Sequence, residues 1–261
     1  AVIINDEWGM PVDSKKVEQA LIDNPDAKIV AFVHAETSTG AISDAKSICK
    51  LAQQHSCLTI VDAVTSLAGS ELRVDDWGID AIYSGSQKCL SAMPGLSPVS
   101  FSDKAINKFT HRKTPVTSWF LDLNLVMGYW GKGAKRAYHH TAPVNTLYGL
   151  HESLVMLTEE GLENSWSRHK ENHLLLKAGL SELGISYLVD ESSRLPQLNS
   201  VYIPEGSDDA QVRSSLINDF NIEIGAGLGD LAGKIWRIGL MGHTSRKENV
   251  ELCLKALKEV L

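Results

Sequence analysis

The chain has 261 residues, of which 43% are hydrophobic and 22% are charged, and its formal net charge is −7. This composition is typical of a globular protein and excludes collagen-like, coiled-coil and disordered chains. The negative charge argues against nucleic-acid partners, and no apolar run has the length of a membrane span. Four cysteines without a CxxC pair indicate neither a disulfide framework nor a zinc site.

Helix and strand patterns alternate in the first part of the chain. The predicted elements are a helix over 14–22, a strand over 28–33, a helix over 44–55, and strands over 58–61 and 80–83. The first strand has the length and composition of a fully buried parallel strand, and the alternation predicts βαβ units on a mainly parallel sheet. His34, Asp62 and Ser84 follow or end these strands, so we expect them to meet in one ligand crevice.

The second part of the chain has a different pattern. The predicted elements are loops with short helices over 95–143, helix over 144–183 with a break near Gly161, strands over 185–189 and 200–203, and a helix over 209–220. Strands over 222–224 and 235–238 follow, and a last helix starts from a capping box at Ser245. We place a domain boundary near Glu160. Residues 1–160 are then the remainder of a large domain, and 161–261 form a small C-terminal α+β domain.

Two residues at neighbouring strand ends suggest cofactor chemistry. Lys88 follows a buried strand, at a sheet end where ligand crevices form and where a lysine amine can act as a nucleophile toward a carbonyl. Asp62 ends the preceding strand, where a carboxylate can keep the pyridine nitrogen of pyridoxal phosphate protonated. The alternative is a strand-end lysine that only extends its amine to solvent, and an aspartate that only caps a turn.

Several motifs of the chain, in their order, resemble the class V pyridoxal-phosphate-dependent aminotransferases, and most closely the branch that uses alanine or serine with glyoxylate or pyruvate. The motifs are His34-Ala35-Glu36-Thr37-Ser38-Thr39-Gly40, Val61-Asp62-Ala63-Val64-Thr65-Ser66-Leu67-Ala68-Gly69, Tyr83-Ser84-Gly85-Ser86-Gln87-Lys88, Tyr138-His139-His140-Thr141, Gly161-Leu162-Glu163-Asn164-Ser165-Trp166 and Trp236-Arg237-Ile238-Gly239. The resemblance implies fold type I, a mainly parallel large domain, incomplete here, with a small C-terminal α+β domain.

The resemblance also implies roles for the residues around the cofactor. Lys88 would form the Schiff base with pyridoxal 5′-phosphate and move the substrate proton, and Asp62 would pair with the pyridine nitrogen. Val64 would lie along the ring. Thr37 and Gln87 would hydrogen-bond to oxygen or phosphate groups of the cofactor.

Three further roles follow from the same resemblance. Arg237 would hold the substrate carboxylate, because a guanidinium group forms two parallel hydrogen bonds with a carboxylate. Tyr138 and Thr141 would reach the phosphate in the neighbouring subunit, so the active form would be a homodimer. The reaction expected is transfer of an amino group from alanine or serine to glyoxylate or pyruvate.

Other interpretations stay open at this point. A pyridoxal-dependent lyase such as a cysteine desulfurase would need a nucleophilic cysteine on a mobile loop, and no cysteine is suitably placed. The third interpretation is a truncated, non-catalytic dimerisation fragment. The motifs correspond to the family pattern without its N-terminal part, and the chain alone is expected to have little activity. The cytoplasm is the expected compartment, with peroxisome and mitochondrion as alternatives.

Two histidine pairs and a basic cluster are not assigned to the reaction. Successive side chains diverge on regular structure, so His139 and His140 are not expected to bind metal. His169 and His173 have the i, i+4 spacing of helical metal ligands, but without an HExxH motif we expect them on an exposed helix face. The basic cluster consists of Lys132, Lys135 and Arg136, which are interpreted as solvated charges rather than an anion site.

Overall fold

A computed structural model describes residues 1–130, 133 and 137–261 of the chain. The basic cluster at Lys132, Lys135 and Arg136 lies outside these residues. Among the helices of the described ranges, none combines the length and the apolar composition needed to cross a bilayer.

A four-stranded, mainly parallel sheet forms the N-terminal part of the fold. Its strand order is β1-β4-β5-β6, with parallel pairing from β1 to β5 and an antiparallel β6. A small hairpin, β2-β3, follows β1. The strands are β1 (Ile29–Val33), β2 (Ala35–Glu36), β3 (Ala41–Ile42), β4 (Leu58–Asp62), β5 (Ala81–Tyr83) and β6 (Val99–Phe101).

The position of β1 corrects a sequence-based expectation. The apolar run predicts a fully buried strand, but β1 lies at the sheet edge and its burial alternates, with Ile29 53% and Val33 36% exposed. Two helices cover the sheet: α1 (Ser14–Asp23) and α2 (Ala45–Gln54). Each begins at an aspartate whose carboxylate accepts a backbone N–H of the first turn, as N-cap residues do.

Among the described residues, four helices lie between this sheet and the C-terminal part. They are α3 (Asp103–Thr110), α4 (Leu123–Trp130), α5 (Val144–Glu160) and α6 (Leu162–Glu182). The predicted break near Gly161 is confirmed, because Gly161 has φ +86° between α5 and α6. Such a value is in the region that favours glycine.

A second sheet of three antiparallel strands organises the C-terminal part. Its order is β7-β9-β8, and its core surrounds Trp236, which is fully buried. All buried members of that core lie beyond residue 175. The division into 1–160 and 161–261 stays a prediction. The elements are β7 (Leu198–Tyr202), α7 (Asp209–Phe220), β8 (Gly225–Ala226), β9 (Ile235–Gly239) and α8 (Lys247–Val260).

Three predicted features of this part differ from the structure. Residues 185–189 form no strand, because only Tyr187 bridges to β7 before the chain turns at Asp190. The strand predicted over 222–224 is displaced to Gly225–Ala226. The capping box at Ser245 is also wrong: its hydroxyl accepts a hydrogen bond from Asn172 instead, and α8 begins without a side-chain cap.

Candidate active site

The carboxylate of Asp62 is fixed at the carboxyl end of β4. Its Oδ1 accepts the backbone N–H of Val64 at 2.8 Å, and its Oδ2 accepts the hydroxyl of Tyr83 at 2.9 Å. Tyr83 is the residue of β5 that pairs in register with Asp62. Burial, followed by the adjacent carboxylate, raises the pKa of the Tyr83 hydroxyl, so this group stays protonated and donates. The carboxylate is therefore oriented by a backbone N–H of the following turn and by a side chain of the neighbouring strand.

The loops that follow β4 and β5 are in direct contact. The Cys89 thiol, next to Lys88, lies 3.7 Å from the carbonyl oxygen of Thr65. A Cβ placed on Gly69 would lie 2.6 Å from Cys89 Sγ, so this approach of the two loops requires a glycine. This packing confirms that the Asp62 and Lys88 loops share one edge of the sheet.

Lys88 and Gln87 occupy the loop after β5. Lys88 is half-buried and Gln87 is exposed, while the flanking Ser86 and Cys89 are buried. Ser86 anchors the loop through a hydrogen bond from its hydroxyl to the Met93 carbonyl at 2.6 Å. The lysine thus extends from a fixed backbone at the sheet edge.

Arg237 links the small sheet to the hairpin after β1. From the middle of β9, its Nε donates to the Ala226 carbonyl at 2.7 Å and its Nη1 to the Thr37 carbonyl at 3.1 Å. Two backbone acceptors from distant parts of the chain thus set the orientation of the guanidinium group. Arg237 and Thr37, predicted as site residues, are brought together.

The sequence of the chain matches the family model described as aminotransferase class V over residues 3–251. The chain belongs to the class V aminotransferase family. Family membership implies dependence on pyridoxal phosphate.

Relatives of this chain include enzymes named for glyoxylate. Alanine–glyoxylate aminotransferase of Callithrix jacchus is 44% identical over 95% of this chain and 60% of its own length. (S)-Ureidoglycine–glyoxylate transaminase of Bacillus subtilis is 38% identical over 98% of this chain and 65% of its own length. The chain thus spans about three fifths of the length of these curated relatives.

A solved structure shows the same fold. Alanine–glyoxylate aminotransferase from Nostoc sp. superimposes with a TM-score of 0.93 at 45% identity, covering 98% of this chain and 67% of that one. The predicted fold type I of pyridoxal-phosphate-dependent enzymes is confirmed. The resemblance on which the sequence-based site assignments rest is confirmed at the level of the family.

His34 and Ser84 lie at the same sheet edge, where each contacts other residues of this chain. The His34 ring is buried with its edge on Trp77, and its Nδ1 has no hydrogen-bond partner among the described residues. Burial lowers the pKa of His34 to about 4, against a smaller opposite effect of Asp44. The Ser84 hydroxyl donates to the Ala63 carbonyl at 2.9 Å. The Ser84 hydroxyl is thus bound within the strand ends, and the His34 ring packs against Trp77.

Tyr138 and Thr141 lie in a surface segment between α4 and α5. Their hydroxyls are hydrogen-bonded to each other, and Tyr138 is 74% exposed. In the described residues, no hydrogen bond joins either of them to the strand-end residues. Their predicted role toward a neighbouring subunit stays a prediction.

The expectation that His139 and His140 diverge is wrong. Their Nδ1 atoms lie 2.8 Å apart, because the segment is not regular and the His139 ring stacks on Trp119. Over the residues that the structure describes, no cluster of three metal-binding side chains is found.

The expectation for His169 and His173 is also wrong. Both are buried, His169 completely and His173 with 7% exposure. The i, i+4 spacing puts them on one face of α6, but that face packs against Gly242 and Asn199 rather than solvent.

The four cysteines are all buried. Burial raises the pKa of the Cys89 thiol to about 12, and those of Cys49 and Cys253 to about 11. A thiolate is the reactive form of cysteine, so these groups are unsuited to the nucleophilic role that a cysteine desulfurase requires.

Two residues of the site have no role in the sequence-based assignment. Tyr83 belongs to a family motif, and its register opposite Asp62 follows once β4 and β5 are paired. Gln197 is fully buried and connects the C-terminal part to the turn after Asp62. Its Nε2 donates to the Thr65 carbonyl at 2.9 Å, and its Oε1 accepts the Ser70 hydroxyl at 2.8 Å. No local sequence signal indicates this long-range bridge.

Proposed function

We propose that the protein carrying this chain is a transaminase that moves an amino group from alanine or serine to glyoxylate or pyruvate, with pyridoxal 5′-phosphate as cofactor. The names of the relatives, which specify glyoxylate in two different transaminases, support glyoxylate as acceptor. The observation that carries the proposal is the oriented carboxylate of Asp62 beside the loop of Lys88.

The residues at the sheet edge fit this cofactor by their chemistry. Asp62 offers further lone pairs to a ring N–H, since each of its oxygens accepts one hydrogen bond in the structure. Val64 follows in the same turn. Thr37 and Gln87 supply hydroxyl and amide groups for polar substituents. Pyridoxal phosphate, when bound, supplies an aldehyde that condenses with amines and a ring that withdraws electrons from the substrate α-carbon.

The proposed division of labour follows from the charges of three side chains. The Lys88 amine would hold the cofactor and would move a proton at the substrate α-carbon. The Asp62 carboxylate would hold a proton on the ring nitrogen. The Arg237 guanidinium binds the substrate carboxylate with the donors that its backbone acceptors leave available.

The proposal includes a homodimer. Among the described residues, many exposed apolar side chains lie between residues 119 and 156, and α5 has no buried residue. We call these exposed side chains the 119–156 apolar surface. Exposed apolar side chains favour association with another protein surface, and the exposed Tyr138 belongs to this stretch. This position supports a role of Tyr138 and Thr141 at a site shared between subunits.

The test is covalent trapping of the cofactor on Lys88. Borohydride reduction of the purified protein with pyridoxal phosphate should add one phosphopyridoxyl group, the cofactor mass less water plus two hydrogens, to the peptide that contains Lys88. Lys88→Ala should lose that adduct and the transfer from alanine to glyoxylate, while Lys104→Ala on α3 should keep both. Trapping on another lysine, or full turnover of Lys88→Ala, would refute the proposal.

The amino donor is tested in the same assay. Alanine, serine and (S)-ureidoglycine should be compared as donors to glyoxylate by kcat/KM. Higher kcat/KM with alanine or serine supports the proposed donor, and a preference for (S)-ureidoglycine would replace it. Sulfide release from cysteine would indicate the lyase alternative, and absence of both cofactor trapping and turnover would favour a non-catalytic module.

A further inference from the structure

His169 is a buried, titratable residue that the proposed reaction does not use. It lies on α6 with no solvent exposure. Its Nδ1 is 2.7 Å from the Ser165 carbonyl oxygen, and its Nε2 accepts the backbone N–H of Gly242 at 2.9 Å. A carbonyl oxygen only accepts, so Nδ1 carries the proton and Nε2 is the acceptor. Burial lowers the pKa of His169, which favours this neutral form.

The turn that His169 holds packs directly on the Lys88 loop. Gly242 has φ +57°, and a Cβ placed on it would overlap Ser91 Oγ and lie 2.6 Å from the Cys89 carbonyl oxygen. The next backbone N–H, that of His243, donates to Ser91 Oγ at 2.7 Å. The turn can approach this closely only because it presents backbone and no side chain.

Ser91 connects this contact to the lysine. Its backbone N–H donates to the Lys88 carbonyl at 2.9 Å, and its φ of +58° is unusual for a residue with a side chain. The neighbouring Ala92 N–H donates to the Ser86 carbonyl at 3.0 Å. The Lys88 loop is thus closed by its own backbone hydrogen bonds, and Ser91 binds it to the Gly242–His243 turn.

Arg168 holds the other side of the same turn. Its Nη1 donates to the carbonyls of Gly242 at 2.8 Å and Ser245 at 2.9 Å. Its remaining donors form a two-point ion pair with Glu160. The N–H of Gly242 is bound by His169 and its carbonyl by Arg168, so both faces of this peptide segment are fixed by α6.

We propose that His169 is a positioning residue, which holds the Gly242–His243 turn against Ser91 and thereby fixes the backbone that carries Lys88. Its importance for turnover rests on the proposed function. The effect on the loop itself does not, because all contacts are between residues of this chain.

His173 provides a matched control on the same helix. It is buried one turn later, and its Nδ1 lies 2.6 Å from Oδ1 of Asn199. That partner is on β7 and makes no contact with the Lys88 loop among the hydrogen bonds of the described residues. Loss of His173 therefore removes a comparable buried hydrogen bond without touching the turn at Gly242.

The experiment is amide hydrogen exchange of the cofactor-free protein, read on peptides covering residues 86–92 and 198–202. His169→Leu should raise the exchange of 86–92 by about tenfold, the effect of losing one buried hydrogen-bond acceptor. His169→Gln should restore most of the protection, because its amide oxygen can reach the position of Nε2. His173→Leu should raise exchange at 198–202 and leave 86–92 unchanged.

A further variant keeps the test valid if His169→Leu fails to fold. Ser91→Ala removes the acceptor of the His243 N–H and should raise exchange over 86–92 while His169 stays in place. The proposal is overturned if folded His169→Leu keeps wild-type protection over 86–92, if His169→Gln is as impaired as His169→Leu, or if Ser91→Ala changes nothing. Failure of cofactor trapping on Lys88 would refute the proposed function alone, since exchange is measured without cofactor.

Discussion

Arg237 is the residue whose predicted role depends most on its hydrogen-bond geometry. Its Nε and Nη1 are bound to backbone carbonyls of Ala226 and Thr37, which fixes the plane of the guanidinium group. A lysine has no such plane and cannot make the same set of bonds.

Arg237→Lys should therefore reduce kcat/KM for alanine and glyoxylate by roughly 10- to 100-fold, the effect of losing a charged hydrogen bond. Steady-state kinetics of both substrates measure this. Arg213→Lys, which replaces an arginine paired with Asp209 on α7, is the matched control and should keep wild-type kcat/KM. Equal kinetics of Arg237→Lys and wild type would remove Arg237 from substrate binding.

His34 should make stability depend on pH. Its pKa is lowered to about 4 by burial, so between that value and the ordinary 6.5 the unfolded chain binds a proton that the folded chain does not. The free energy of unfolding should therefore fall as the pH falls through this window. The lowered pKa values of His169 and His173 act in the same direction.

Urea unfolding of wild type and His34→Phe at pH 7 and pH 5 tests this effect. Between pH 7 and pH 5, the free energy of unfolding should fall by about 2 kcal/mol more in the wild type than in the variant. This difference comes from the pKa shift of His34 alone. The same pH dependence in both proteins would show that His34 does not titrate as its burial requires.

At the scale of residues, the sequence predicts where a side chain lies when that residue follows or ends a strand. Asp62 and Lys88 were predicted because parallel strands present their carboxyl ends at one edge. The i, i+4 spacing of His169 and His173 was equally clear, but it gives only a common helix face. Whether that face meets solvent depends on Gly242 and Asn199, which are distant in sequence.

At the scale of elements, the turn at Gly242 is a tightly constrained connection. An alanine there would combine a positive φ with contact to Ser91 Oγ and the Cys89 carbonyl. Gly184 has a similar φ of +71°, and a Cβ added to it would meet no described atom within 4 Å, so it isolates the backbone effect.

Gly184→Ala should cost about 1–2 kcal/mol of unfolding free energy, the cost of a left-handed conformation with a side chain. Gly242→Ala should cost a further 1–3 kcal/mol or so, because the added methyl group overpacks the contact. Denaturant unfolding of the two variants gives the difference. Equal losses would mean that the turn moves away from Ser91 without penalty.

Most elements were predictable because their signals are local. The 14–22 and 44–55 patterns correspond to α1 and α2, where apolar spacing and an aspartate N-cap agree. The errors concern pairing between distant segments. The apolar composition of 28–33 is typical of a central strand. In the described chain, however, β1 pairs with β4 on one side and with no strand on the other, so it lies at an edge.

At the scale of the whole molecule, the 119–156 apolar surface predicts self-association. Tyr148 on α5 is 72% exposed and Leu147 is 41% exposed, in a helix that buries no residue. A second copy of the chain would remove these side chains from water, which is the main favourable term in association.

Sedimentation over a range of concentrations should show a dimer that Tyr148→Glu weakens toward monomer. Leu252→Glu on α8, at 44% exposure, is a control with a comparable change at a surface away from residues 119–156. A monomer at all concentrations, or equal weakening by both variants, would contradict the predicted interface.

The bridge formed by Gln197 has a consequence for recombining this fold. Its amide is bound by Ser70 and Thr65, so the two parts of the chain match each other at a buried point as well as through apolar packing. A chimera that joins residues 1–160 to the C-terminal half of a distant homologue would bury unpaired polar groups wherever this trio is mismatched. Chimeras that fold should be those in which Gln197, Ser70 and the turn at Thr65 come from the same parent.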